Sequence, residues 1–254
     1  MPYKLKPIKM KTTNFLFILI TGITMSLFST GQTADELLRK NDDATYAPKD
    51  QKHSIKMILT DSKGREQIRE ANALQKGRYN RVFRFTAPSS QAGIAFLSLP
   101  DDVMYIYLPA YEKERRIASH VKNQSFAGTD LSYEDMESIP LAEKYTAKLL
   151  EKTDRGFRLE LVPKPDFVSE YSKNIILIDK SNYMTLESEF YDKGGTLIKK
   201  LENHKIEKVK DYWIITDMEI TDLRKSHKTR MLFTNVEVDT GLSDDEFTVR
   251  KLIQ

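Results

Sequence analysis

The chain has 254 residues, 40 basic against 37 acidic side chains, a formal charge of +3 and no cysteine. Without thiols, a disulfide framework, a thiolate zinc site and a cysteine nucleophile are excluded. The charge balance gives no case for nucleic-acid binding, because the four lysines of the first eleven residues account for the excess and leave 36 basic groups against 37 acidic ones.

Those lysines, Lys4, Lys6, Lys9 and Lys11, precede an apolar run from Asn14 to Phe28. The run is shorter than the ~20 apolar residues that span a bilayer, and it ends at small residues, Ser29, Gly31 and Ala34. Residues 1–31 therefore read as a secretory signal peptide, with an uncleaved N-terminal anchor as the alternative. The chain carries no lipid-attachment cysteine, and residues 32–254 are enough for a core of their own.

A helix is predicted from Thr33 or Ala34 to about Tyr46, where Thr33 followed by Glu36 has capping-box form and Pro48 ends the element. Period-two patterning then takes over. Ser54–Thr60 and Glu66–Gln75 flank a turn at Asp61–Gly64. Arg81–Ala87 and Gly93–Leu99 follow, with Pro88 between them.

Val103–Leu108 alternates Val103, Tyr105 and Tyr107 with Met104, Ile106 and Leu108, so both of its faces are apolar. Pro109 stops this strand and sends the chain into a charged crossing through Glu112, Lys113, Glu114, Arg115 and Arg116. Ser132 with Asp135 marks a short helical segment up to Glu137. Beyond Pro140 come strands over Lys144–Lys152, Phe157–Val162, Asn174–Lys180, Met184–Tyr191, Thr196–Val209 (with a bend), Trp213–Leu223 and Thr229–Asp239. A turn with a last strand or helical turn closes the chain.

Ten or more strands with hairpin-length connections and charged faces call for antiparallel order. The pattern is mainly β: a single, strongly curved antiparallel sheet with two helical segments across its open side. Such a sheet either fills its concave face or leaves a hollow for an apolar guest. Phe83, Phe85, Phe96, Tyr105, Tyr107, Phe157, Leu159, Met184, Leu186 and Phe190 are the candidate lining. For each of them ordinary core is the alternative, and Tyr107→Asp is expected to separate the two.

No catalytic motif emerges. His53, His120, His204 and His227 are scattered and read as mostly exposed; Asp130, Glu134, Asp135 and Glu137 read as capping groups on a solvated face; Arg115 and Arg116 read as an exposed basic turn.

The runs YLPAYEKERRI and SFAGTDLSYEDME, with APSSQAGIAFL from Ala87, YDKGGTLIKKL from Tyr191 and DEFTVRKLI near the end, resemble the outer-membrane lipoprotein-sorting family, the LolA-like periplasmic carriers. The resemblance covers nearly all of residues 32–254. It implies an incomplete β-barrel capped by short helices, with Thr33–Tyr46 and Ser132–Glu137 as the helices that regulate access. It also implies a periplasmic, monomeric, non-enzymatic carrier without cofactor or metal. The implied cargo is lipoproteins or lipids, and the implied partners are an inner-membrane exporter or an outer-membrane acceptor. An accessory hydrophobe-binding protein of an inner-membrane exporter, or a structural adaptor with a self-filled core, are the alternatives.

Overall fold

The computed structural model describes residues 1–4 and 32–254. The predicted signal peptide therefore falls largely outside the described residues, and among these no helix is long and apolar enough to cross a membrane.

Helix α1, Ala34–Thr45, starts on a reciprocal capping box in which the Glu36 amide donates to Thr33 Oγ1 and the Thr33 amide donates to the Glu36 carboxylate. The chain then makes six strands in succession: β1 Asp50–Thr60, β2 Glu66–Lys76, β3 Asn80–Ala87, β4 Ala95–Leu99, β5 Val103–Leu108 and β6 Lys113–Arg116. A crossing segment carries two single-turn helices, α2 Tyr133–Met136 and α3 Leu141–Lys144. Seven more strands follow: β7 Tyr145–Lys152, β8 Gly156–Pro163, β9 Lys173–Asp179, β10 Thr185–Tyr191, β11 Leu197–Val209, β12 Tyr212–Asp222 and β13 His227–Val238. A 3-10 turn over Asp244–Phe247 and helix α4, Val249–Leu252, end the chain.

All thirteen strands form one antiparallel sheet in the order β6-β5-β4-β3-β2-β1-β13-β12-β11-β10-β9-β8-β7. It consists of two meanders sewn together where β1 pairs β13, with Met57 opposite Met231. β6 and β7 are its two edges, so the barrel is incomplete. The predicted bend in β11 is a register irregularity around Asn203 and Lys205.

Three details differ from the sequence expectation. The charged crossing at Lys113–Arg116 is an edge strand whose four side chains are all exposed, a composition that discourages further strand pairing. Leu141–Lys144 turns once as α3 before β7 begins, because Asp42 of α1 receives the Leu141 and Ala142 amides, both at 2.8 Å. The first strand also begins earlier than read, at Asp50, whose carboxylate accepts the Thr240, Gly241 and Leu242 amides.

The register divides the apolar residues of Val103–Leu108 between two cores. Phe83, Phe96 and Ile106 lie opposite one another across β3, β4 and β5 on the concave face, while Val82, Leu97 and Tyr105 do the same on the convex face. The convex residues are covered by the C-terminal segment, with Phe247 and Leu252 buried against them. Gly156 is required at its place in β8, since a Cβ there would sit 1.8 Å from the Ile178 carbonyl oxygen of the neighbouring strand.

Candidate functional site

The concave side is filled at one end and hollow at the other. At the filled end the crossing segment inserts Phe126, fully buried, whose ring lies 5.4 Å from Phe83, 5.7 Å from Phe85 and 5.6 Å from Phe96. Leu131 and Met136 of the same segment join that cluster. The strands supply a curved aromatic wall, and the crossing segment supplies the plug.

Beyond the plug are two adjoining hollows. The first, about 210 Å³, is lined largely by apolar side chains, among them Phe83, Met136, Met184, Met218, Met231 and Phe233, with the half-exposed Trp213 at its margin. The second, about 270 Å³, lies beneath α1, α2 and α3 and is more polar, touching Glu134, Lys144, Tyr171, Asn174 and Ser188. Thr45, Arg81, Leu131, Asp135, Ile215 and Met218 border both. Methionine is unbranched and polarisable, so a wall built from it adapts to guests of irregular outline.

The polar groups at the roof form a paired network. Asp135 of α2 meets Lys199 of β11 at 3.0 Å, and the Tyr171 hydroxyl donates to Asp135 at 2.8 Å. Glu134 accepts the Ser169 hydroxyl and the Glu170 amide, and burial pushes its carboxyl pKa up. Glu137 is fully buried between Lys122 at 2.9 Å and Lys144 at 3.3 Å, and Lys122 also pairs with Asp102. Burial works against the charges of Lys144 and Lys199, yet the acidic groups beside them, Tyr145 and Glu137 around Lys144 and Asp135 and Glu170 around Lys199, hold both pKa values above the ordinary lysine range.

The acidic group from Asp130 to Glu137 is thus buried, with Asp135 and Glu137 paired to lysines and Glu134 hydrogen-bonded, which corrects its reading as a solvated face. Asp130 itself accepts from the Thr229 hydroxyl at 2.7 Å and stands 2.6 Å from His227 Nδ1. His53 also departs from the exposed reading, because β1 turns it toward the first hollow, where burial and the nearby Arg81 charge hold its pKa down at about 4. His120 and His204 are exposed, as are Arg115 and Arg116.

The ten candidate lining residues separate into distinct places. Phe83 and Met184 border the first hollow and Phe190 the second, its ring 4.9 Å from Tyr171. Phe85 and Phe96 are buried under the Phe126 plug, and Leu159, with Phe157 packed alongside, belongs to the core beneath α1 around Leu37 and Leu38. Leu186 is half-buried beside a register irregularity in β10 and borders neither hollow. Tyr105 and Tyr107 face the convex side against Val82, Ala95 and Leu97, which corrects their assignment to the concave face. Both faces of β5 are apolar because each has its own cover.

Sequence reading missed Arg81, Gln75, Met136, Met218, Met231 and Trp213. Extending the period-two pattern from Met57 through its partner Met231 to Met218 would have reached the methionines. Nothing local marks Arg81, which reads as one more charge in a strand that begins RVFRF.

A single open antiparallel sheet with an apolar hollow under short helices defines the class of incomplete, half-barrel β folds. A family model described as "uncharacterized protein"-like matches residues 77–254, and no curated protein matches the chain in sequence. Among solved structures, a domain described as outer membrane lipoprotein-sorting, from Vibrio parahaemolyticus, is 28% identical at a TM-score of 0.80, covering 87% of this chain and 98% of that one. A DUF1329 family protein from Desulfovibrio piger is 27% identical at a TM-score of 0.81, covering 86% and 97%. A LolA superfamily protein from Nitrosomonas europaea shares the fold at 20% identity and a TM-score of 0.72, covering 87% and 100%. The chain belongs to the family of that model and shares its fold with these lipoprotein-sorting, DUF1329 and LolA superfamily structures.

Proposed function

We propose that the protein is a periplasmic, non-enzymatic carrier that takes acyl chains of lipoproteins or other lipids into the methionine-lined hollow and moves them toward the outer membrane. The supporting observation is that hollow itself: an apolar space left unfilled between the Phe126 plug and α1, bordered by Phe83, Met184 and Met218. The LolA-like fold and the basic, apolar residues 1–31 support the location, the latter as an export signal.

Each buried methylene contributes about 0.8 kcal/mol, so a long chain supplies ample affinity for a site of this kind. Roofing the hollow with one three-turn helix and a single-turn one places the contacts that must loosen at handover on α1 and α2, whose anchors are Asn41, Asp42 and Asp135.

Organic extraction of the purified protein followed by mass spectrometry tests the reading, together with uptake of an apolar fluorophore. Co-purifying lipid and saturable uptake are expected. An empty extract with no uptake would leave a self-filled adaptor instead. Crosslinking in cells then distinguishes an acylated protein or outer-membrane acceptor from an inner-membrane exporter as the neighbour.

A further inference from the structure

Arg81 of β3 borders both hollows, and its guanidinium is only lightly engaged. It donates to Gln75 Oε1 at 3.0 Å and to the Met136 carbonyl oxygen at 3.3 Å, both neutral acceptors. A guanidinium offers five N–H donors, so most remain without a partner among the described residues.

Among the other interior cations, Lys122, Lys144 and Lys199 each sit against a carboxylate, while Arg69 and Arg84 donate to backbone carbonyl oxygens and border neither hollow. Arg81 has no acid within ion-pair distance among the described residues. Burial depresses its pKa, the expected mark of a cation whose lost hydration is not replaced.

The groups around Arg81 do not supply the missing anion: of those bordering the second hollow, Glu137 is paired with Lys122 and Lys144, Asp42 and Glu134 accept donors from other segments, and Tyr46 is a phenol whose pKa burial pushes up. Asp135 borders the same hollow but is neutralised by Lys199. His53 is neutral at physiological pH, and its buried Nδ1 has no hydrogen-bond partner. Gln75 and Gln51 are uncharged. On this side of the roof there is a fixed positive charge, spare donors and an apolar space beside them.

We propose that the cargo is an anionic amphiphile whose acidic head, a carboxylate or a phosphate, is received by Arg81 while its hydrocarbon tail occupies the methionine-lined hollow. This inference rests on the carrier reading and names the substrate class of the same site. A planar guanidinium pairs two oxygens of a carboxylate or phosphate at once, which gives the head a fixed orientation as well as affinity. A wholly uncharged guest would leave the guanidinium facing hydrocarbon.

The test is displacement of a bound apolar fluorophore from the purified protein by oleate, oleyl alcohol, lysophosphatidate and inorganic phosphate, repeated with Arg81→Gln and Arg81→Lys. Oleate or lysophosphatidate should bind roughly tenfold or more tighter than the alcohol, and Arg81→Gln should bring the acid-to-alcohol affinity ratio close to one. Arg81→Lys, which keeps a point charge without the fork, should keep part of it. Whichever of the two acids is preferred distinguishes a carboxylate head from a phosphate head.

Equal affinity for acid and alcohol would overturn the anionic head while leaving the carrier reading intact. Inorganic phosphate competing as well as lysophosphatidate would overturn the amphiphile. Failure of every amphiphile to displace the probe would overturn the carrier reading with it. If Arg81→Gln does not fold, the acid-to-alcohol ratio of the unaltered protein and of Arg81→Lys still decides.

Discussion

The Asp135 carboxylate of α2 and the Lys199 ammonium of β11 meet at 3.0 Å inside the half-barrel, both nearly inaccessible to solvent. The pair ties a single-turn helix, which has little stability of its own, to the middle of a long strand. A buried pair contributes little net energy when intact, but removing one partner strands the other charge.

Lys199→Met is therefore expected to destabilise the protein by roughly 3–5 kcal/mol in urea unfolding. Amides of Ser132–Glu137 should lose hydrogen-exchange protection in the same variant. A loss below about 1 kcal/mol would mean that the crossing segment is held by its apolar contacts alone.

Met218 borders both hollows, so Met218→Trp should fill space that a guest would use. Uptake of an apolar fluorophore is expected to fall tenfold or more, with the melting temperature changed by only a few degrees. A large drop in melting temperature with uptake preserved would place Met218 in ordinary core.

Asp42 is held by burial at a pKa of about 6, above the usual 3.8, despite the two amides it caps. The folded state thus binds a proton more readily than the unfolded one. This stabilisation is fully present below about pH 3.8 and is lost as pH rises through about 6. Urea unfolding of Asp42→Asn should show the unaltered protein losing about 3 kcal/mol, at most, relative to the variant between pH 4 and pH 7.

His53 carries the opposite sign. Burial, with the Arg81 charge as a second cause, depresses its pKa from 6.5 to about 4, so its contribution is present above about pH 6.5 and lost as pH falls through about 4. His53→Phe should flatten the acid limb of the stability profile over that window. An unchanged limb would show that His53 is solvated when folded.

Tyr107 and Leu252 belong to the convex core, so Leu252→Ala is expected to cost about 2–4 kcal/mol without altering fluorophore affinity in the folded fraction. Tyr107→Asp should likewise damage stability and spare binding. Weakened binding at unchanged stability in either variant would contradict the division of β5 between two covers.

The local rules acted where the chain meets itself within a few residues. Thr33 with Glu36 and Ser132 with Asp135 are capping pairs whose partners lie three positions apart, and DSKG and YDKGG are turns. Alternation along each strand therefore made the antiparallel meander legible, and the quoted motifs carried the family resemblance. What alternation does not carry is the sign of each face. Tyr105 and Phe96 are equally apolar, and only the cross-strand register with the C-terminal cover shows that one points out and the other in.

Burial of charge was equally invisible in sequence. Glu137 finds Lys122 and Lys144 nearby in the chain, but Asp135 finds Lys199 sixty-four residues away, and Asp42 finds Leu141 ninety-nine away. The sequence by itself determined most of the strands, the helices α1 and α2, their order and the curved antiparallel class, because those depend on period and on neighbours. The tertiary structure alone decided which apolar residues plug the barrel, which border a hollow and why Arg81 faces that hollow without an acid, because those depend on which distant segments arrive to cover each face.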